Sequence, residues 1–115
     1  MRLIHKNSTV VAFLMFLNLG MLAQVQNKSW KQITESNSEK WFSSEEAADI
    51  AENVLLYQRN IGGWPKNIQM QLPISDTEKQ KLLVLKADPI DSTIDNGATC
   101  QEMLFLSKMY KKNPP

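Results

Sequence analysis

The sequence is short of the residues on which several kinds of functional site depend. Among its 115 residues it has one histidine (His5), one cysteine (Cys100) and two arginines. His5 lies in an N-terminal segment that we expect to be removed, so a histidine triad, general base or metal ligand is excluded from the rest of the chain. Any metal held there must be a hard cation bound by oxygen ligands.

The solitary cysteine excludes an internal disulfide. For Cys100 we expect a small buried side chain, with a reactive thiol near a helix start as the alternative. The chain must therefore be stabilised by helix packing, and a core of this size is marginal without a cross-link.

The first 23 residues have the pattern of a secretory signal peptide. Arg2, His5 and Lys6 form a positively charged start, and an apolar run of 14 residues extends from Val10 to Ala23. That run is shorter than the ~20 residues that span a bilayer and falls within the ~7–15 of a signal peptide. We therefore predict cleavage after Ala23 and a secreted or periplasmic protein, with an uncleaved membrane anchor as the alternative.

The remaining chain, residues 24–115, is close to neutral. Loss of Arg2 and Lys6 leaves 11 basic against 12 acidic side chains, a net charge of −1. A surface without a basic excess has no field that attracts nucleic acid. Nucleic acid is therefore excluded as a partner, and no membrane association is expected once the signal peptide is removed.

Hydrophobic periodicity predicts an all-α chain. Residues 24–42 read as an irregular lead-in with at most a short helical piece near 30–35, and the polar run 34–39 is not expected to order itself. Apolar residues then recur at three- and four-residue spacing over 44–58 and 98–111, with a shorter, mostly polar helix over 76–85 between them. Residues 43–115 are expected to be part of one domain.

Cap signals support these three helices. Ser43 with Glu46 and Ser75 with Glu78 have the spacing of a capping box, and Thr99 with Glu102 offers a further pair. In the last helix we expect a buried stripe that is broadened on one side, formed by Met103, Leu104, Phe105, Leu106, Met109 and Tyr110.

Two stiff loops stand out from this helical pattern. The first is Gly62-Gly63-Trp64-Pro65-Lys66-Asn67, and the second is Thr93-Ile94-Asp95-Asn96-Gly97-Ala98-Thr99. Glycine permits backbone angles closed to other residues, and Pro65 fixes its own φ and keeps Trp64 extended. Taken singly, these residues also suit structural roles: Asp and Asn cap helices, Trp is commonly core and Lys is commonly solvated. Together they present a carboxylate, an amide, an ammonium and an indole, which favours a binding site.

The two loops resemble consecutive blocks of the family 10 polysaccharide lyases, which are pectate lyases. The first block follows a helix ending Tyr57-Gln58-Arg59, and the second, beginning at Ser92, precedes an amphipathic helix ending Lys108-Met109-Tyr110. The resemblance covers about residues 47–110, with both blocks in the same order. It departs from the family at Gly97 and at residues 100–102, where the family often has an acid and threonine-rich sequence respectively.

The resemblance implies a partial (α/α) toroid or barrel-like catalytic domain that cleaves polygalacturonate, the backbone of pectin, by calcium-assisted β-elimination. It places Asp95 at the calcium–substrate site, with Asn96 supporting it. For Lys66 we infer an ammonium that binds an acidic sugar, and for Trp64 a wall of the cleft.

One departure bears on activity. The family's proton-abstracting base is an arginine in a later part of the domain, whereas Arg59, the one arginine after residue 23, lies outside any such motif. We expect an N-terminal fragment of a pectate lyase that is inactive alone. The alternative is a small secreted, non-catalytic helical module that binds an acidic glycan or a partner protein.

Overall fold

The computed structural model describes residue 25 and residues 27–36, 38–88, 90–93 and 97–115. In this part of the chain there are four α-helices and a short 3-10 helix at Trp41–Ser43, which precedes α2. The α-helices are α1 (Trp30–Ser36), α2 (Glu45–Tyr57), α3 (Asp76–Leu85) and α4 (Cys100–Lys112). The described residues are mostly helical and form no named strand, which agrees with an all-α chain; the toroid stays a prediction.

The expected signal peptide, residues 1–23, lies outside the described residues. Within the described ranges, no helix is long and apolar enough to cross a membrane.

The core is centred on Phe105 of α4. This fully buried ring lies 5.1 Å from the Trp30 ring of α1, 5.9 Å from Phe42 and 6.2 Å from Trp41, measured between ring centroids. Around the aromatic cluster lie the other buried apolar side chains, which include Ile33, Ala47, Ile50, Val54, Trp64, Met70 and Met109. Both α1 and α2 therefore pack against α4.

The lead-in is more ordered than its composition suggests. Residues 30–36 form α1, in which Ile33 and Thr34 are 0% and 1% exposed. The expectation that residues 34–39 could not order was therefore wrong for Thr34, because burial against the rest of the core supplies the apolar surface that the local sequence lacks. Lys108 of α4 also donates to the Thr34 carbonyl oxygen at 2.8 Å.

The cap of α2 lies one residue later than predicted. Ser44, not Ser43, accepts a hydrogen bond from the backbone N–H of Ala47 at 3.2 Å. The carboxylate of Glu46 does not complete a capping box with the cap residue, and it accepts instead from the indole N–H of Trp41 at 2.8 Å. The pairing with Trp41 thus replaces the reciprocal bond that the sequence pattern indicated.

Helix α3 is the element that the sequence predicted best. It begins and ends at the predicted residues, and the Ser75–Glu78 capping box is present in both directions. Leu82 is its buried residue. Beyond its end, the Lys86 ammonium donates to the carbonyl oxygens of Leu55 and Gln58 at the end of α2. Burial lowers the pKa of Lys86, and the nearby positive charge of Arg59 lowers it further.

The buried face of α4 contains part of the predicted stripe. Phe105 and Met109 are buried as predicted and Leu106 packs partly buried against the core, whereas Met103 and Tyr110 are 59% and 66% exposed. The 3-10 helix and α1 pack on the Phe105 side, where Glu102 is also buried. The predicted burial of Cys100 was wrong, since its thiol is exposed.

The Phe105→Ala variant tests whether the aromatic cluster is the centre of the core. We expect the free energy of unfolding, measured by urea denaturation, to fall by about 3–5 kcal/mol because a fully buried aromatic ring is lost. The matched control Met103→Ala, on the exposed face of the same helix, should change it by no more than about 0.5 kcal/mol. Equal losses in the two variants would contradict this core.

The cap of α3 should respond to acid. Hydrogen bonds from the backbone N–H and then the hydroxyl of Ser75 lower the pKa of Glu78 below its ordinary 4.5. Because the folded-state pKa is the lower one, the cap's stabilisation is complete above the unfolded value and is lost as pH falls through the folded value. An NMR titration of the Glu78 carboxyl carbon should show the lowered pKa, and Ser75→Ala should raise it part of the way. An ordinary pKa in the wild type would contradict the cap.

Candidate functional site

The first loop, residues 62–67, forms a tight turn at the end of α2. The Arg59 N–H donates to the Gly63 carbonyl oxygen, and the Gly62 N–H donates to the Arg59 carbonyl oxygen, both at 2.9 Å. Gly62 has a φ of 101°, which favours glycine. The turn therefore fixes the direction in which Trp64, Pro65 and Lys66 leave the helix.

The structure joins this loop to the described part of the second one. The Thr93 N–H donates to the Trp64 carbonyl oxygen at 3.2 Å, which forms an isolated antiparallel bridge. The Thr99 hydroxyl accepts from the Trp64 N–H at 3.0 Å and donates to the Thr93 carbonyl oxygen. We call these three hydrogen bonds the Thr99 clamp. Two motifs some thirty residues apart in sequence are thus held as one unit.

Gly63 allows the loops to approach each other this closely. A Cβ atom at this position would overlap the Ser92 hydroxyl oxygen and lie 3.4 Å from the Thr99 hydroxyl oxygen. Thr99 itself has a φ of 65°, which is strained for a β-branched residue. The position of Thr99 in the clamp accounts for a backbone conformation that the residue would not adopt by itself.

Trp64 belongs to the core. The residue is 2% exposed, and its indole N–H donates to the Val54 carbonyl oxygen at 2.7 Å. The indole has no exposed face that could contact a sugar in this structure. Its position anchors the loop to α2.

Lys66, by contrast, is exposed and lines two cavities that share Pro65, Lys66 and Ile68. The larger cavity, of about 500 Å³, also has Asp91 in its lining. The smaller, of about 270 Å³, extends between the first loop, α1 and the start of α4. We call the smaller one the loop cavity. Lys66 is the predicted site residue that the structure places at an accessible position.

Asp95 and Asn96, the predicted metal and substrate ligands, lie outside the described residues. Among those that are described, no group of three or more His, Cys, Asp or Glu side chains could hold a metal ion. The described residues alone therefore do not make a calcium site.

Glu102 was missed as a site residue, because its spacing from Thr99 read as a helix cap. It is 3% exposed, and its Oε1 atom accepts from the Trp30 indole N–H at 2.8 Å. Its Oε2 atom is buried without a hydrogen-bond partner in the described structure. Glu102 also lines the loop cavity. The sequence carries no signal for this, since Trp30 is 72 residues away.

Arg59 is buried beside the first loop. It is 4% exposed, its Nη1 atom donates to the Tyr57 carbonyl oxygen at 3.3 Å, and its Nη2 atom lies 4.0 Å from the Asp91 carboxylate. Arg59 lines neither of the two cavities that Lys66 lines.

Comparison with known families gives one relevant finding. The model of a family described as "Pectic acid lyase" matches residues 58–114, just under half of the chain. The matched segment contains both loops, α3 and α4, and it supports a relationship with the pectate lyases. Neither the curated proteins nor the solved structures gave a match.

The Thr99→Val variant tests the clamp. Valine keeps the β-branched shape but leaves the buried Trp64 N–H without its acceptor, so we expect the free energy of unfolding to fall by about 1–3 kcal/mol. Thr99→Ser keeps the hydroxyl and is the matched control. Urea denaturation of both variants measures the difference, and a valine variant as stable as the serine variant would contradict the clamp.

Proposed function

We propose that this chain is related to the family 10 pectate lyases and carries part of their polygalacturonate-binding site on its two loops. Two independent findings, which concern the same two loops, support the proposal most. The family match spans both loops, and the Thr99 clamp holds them together. Pectate as the substrate follows from the family's chemistry. A secreted or periplasmic location would bring the chain into contact with such a polymer.

Calcium is part of the proposal. In β-elimination a proton is removed from the carbon next to the uronate carboxylate, and negative charge develops on that carboxylate. A bound calcium ion would supply a positive charge at that point. We assign Asp95 as a ligand and Asn96 as its support on the resemblance of the second loop alone, since the described residues contain no complete ligand set.

Lys66 is proposed to bind a uronate carboxylate. Its ammonium is exposed on a loop whose backbone is fixed on both sides of Trp64. A fixed backbone reduces the entropy lost when a side chain orders on a ligand. In this proposal Trp64 acts through the position that it gives to Lys66.

We propose further that the chain binds pectate without cleaving it. Arg59 is the one arginine after residue 23, and it lines neither of the cavities at Lys66. This observation also favours the second candidate, a non-catalytic helical module that binds an acidic glycan. The two candidates differ in whether binding depends on calcium through Asp95.

The test is to mix the purified chain with polygalacturonate in calcium and in chelator. We measure the ultraviolet absorbance of unsaturated uronate and, separately, binding by isothermal titration calorimetry. We expect calcium-dependent binding without unsaturated product, and binding that is weakened at least about tenfold in Asp95→Asn. Asp49→Asn, which alters an exposed carboxylate on α2, is the control and should bind as the wild type does.

Each other outcome has a defined meaning. Calcium-dependent unsaturated product would show that the chain supplies its own base and would contradict the non-catalytic proposal. Binding that is equal in chelator and unaffected by Asp95→Asn would favour the binding module. A chain that binds no polygalacturonate under either condition would contradict both candidates.

A further inference from the structure

Two glutamates in this structure are held in the same unusual way. Glu46 and Glu102 each accept an indole N–H through one carboxylate oxygen, from Trp41 and Trp30 respectively, and both distances are 2.8 Å. In each, the second oxygen is buried and has no hydrogen-bond partner in the described part of the chain. A buried carboxylate oxygen without a donor is destabilising, so each calls for an explanation.

The surroundings of the two carboxylates differ in charge. Glu46 lines a separate cavity of about 520 Å³ whose lining also includes Asp49 and Glu52, against one lysine, Lys79. Glu102 lines the loop cavity, whose lining among the described residues has two lysines, Lys31 and Lys66, and no second acidic side chain. An anion would be repelled from the first cavity and attracted to the second.

The loop cavity also offers neutral polar groups. Its lining includes the side-chain amides of Asn67, Gln69 and Gln101. The side chain of Gln69 already has partners, since its amide oxygen accepts from the backbone N–H of Trp30 at 2.9 Å and from the side-chain amide of Gln71 at 3.2 Å. These bonds and the Trp30–Glu102 bond fix the cavity wall formed by α1. The wall is therefore set before any ligand arrives.

These groups define the chemistry of a ligand. The lysines suit a carboxylate, and the unpartnered Oε2 atom of Glu102 can accept a hydrogen bond from a donor. A simple anion supplies no donor, and a cation would meet two lysines. A sugar acid supplies both a carboxylate and hydroxyl donors in one molecule.

We propose that the loop cavity binds one uronate residue of an acidic glycan, with its carboxylate on Lys66 and a hydroxyl donating to the Oε2 atom of Glu102. Glu102 is then a specificity-determining residue that separates hydroxylated sugar acids from other anions. The inference rests on the proposed function for its choice of glycan, and it adds a residue and a cavity that the two sequence motifs did not indicate as a binding site.

The test compares Glu102→Gln with Glu46→Gln in the full chain. Glutamine keeps an oxygen to accept from the tryptophan and replaces the second oxygen with an N–H₂ donor. By calorimetric titration with trigalacturonate in the presence of calcium, we expect Glu102→Gln to bind about tenfold or more weakly than the wild type. Glu46→Gln is the matched control and should bind as the wild type does.

Thermal melting separates binding from structure. Each variant removes the charge from a side chain that has one buried, unpartnered oxygen, so we expect neither midpoint to fall. An NMR titration of the wild type provides an independent measurement that needs no variant. Trigalacturonate should shift the amide signals of residues 66–69 and 101–102 and leave those of residues 46–53 in place.

Several results would overturn the inference. Wild-type affinity in Glu102→Gln, or NMR shifts confined to residues 46–53, would show that Glu102 does not bind the ligand, and would leave the proposed function standing. Equal affinity for sulfate would contradict the role of the hydroxyl, and equal affinity for maltotriose would contradict the role of Lys66. A wild-type chain that binds no trigalacturonate would contradict the inference and the proposed function together.

Discussion

The hydroxyl of Thr99 joins the two loops on which the proposed function depends. It accepts from the Trp64 N–H and donates to the Thr93 carbonyl oxygen, so that the two loops and the start of α4 meet at one oxygen atom. The cost is a strained backbone at Thr99, with a φ of 65°, and a glycine at position 63 that leaves room for Ser92. Strain held by surrounding contacts is common where a binding surface must be rigid.

The three tryptophans stabilise the packing around the two loops. Each indole N–H has an acceptor: Trp30 donates to Glu102, Trp41 to Glu46 and Trp64 to the Val54 carbonyl oxygen. Two of these bonds position carboxylates that each have one buried oxygen and that line polar cavities. The helix α1, formed by a segment of polar composition, is held by the same contacts and completes the wall of the loop cavity.

Local signals in the sequence were sufficient for some of this structure. The bounds of α3 and its Ser75–Glu78 capping box follow from residues within a few positions of one another. The first loop was recognisable from Gly62, Gly63 and Pro65, whose backbone preferences are intrinsic. Features set by distant contacts were not predictable: the Trp30–Glu102 bond spans 72 residues, tertiary packing left Met103 and Tyr110 of the predicted stripe exposed, and tertiary burial ordered Thr34. The burial of Trp64 likewise depends on Val54, which no motif indicates.

The central claim is that the Thr99 clamp makes one uronate-binding unit from two sequence motifs. Its most direct test is the affinity for trigalacturonate of Thr99→Val compared with Thr99→Ser, measured at a temperature where both variants are folded. We expect the valine variant to lose binding and the serine variant to retain it, because only the latter keeps the two hydrogen bonds of the hydroxyl at position 99. Equal binding by the two variants would show that the loops act independently, and would contradict the claim.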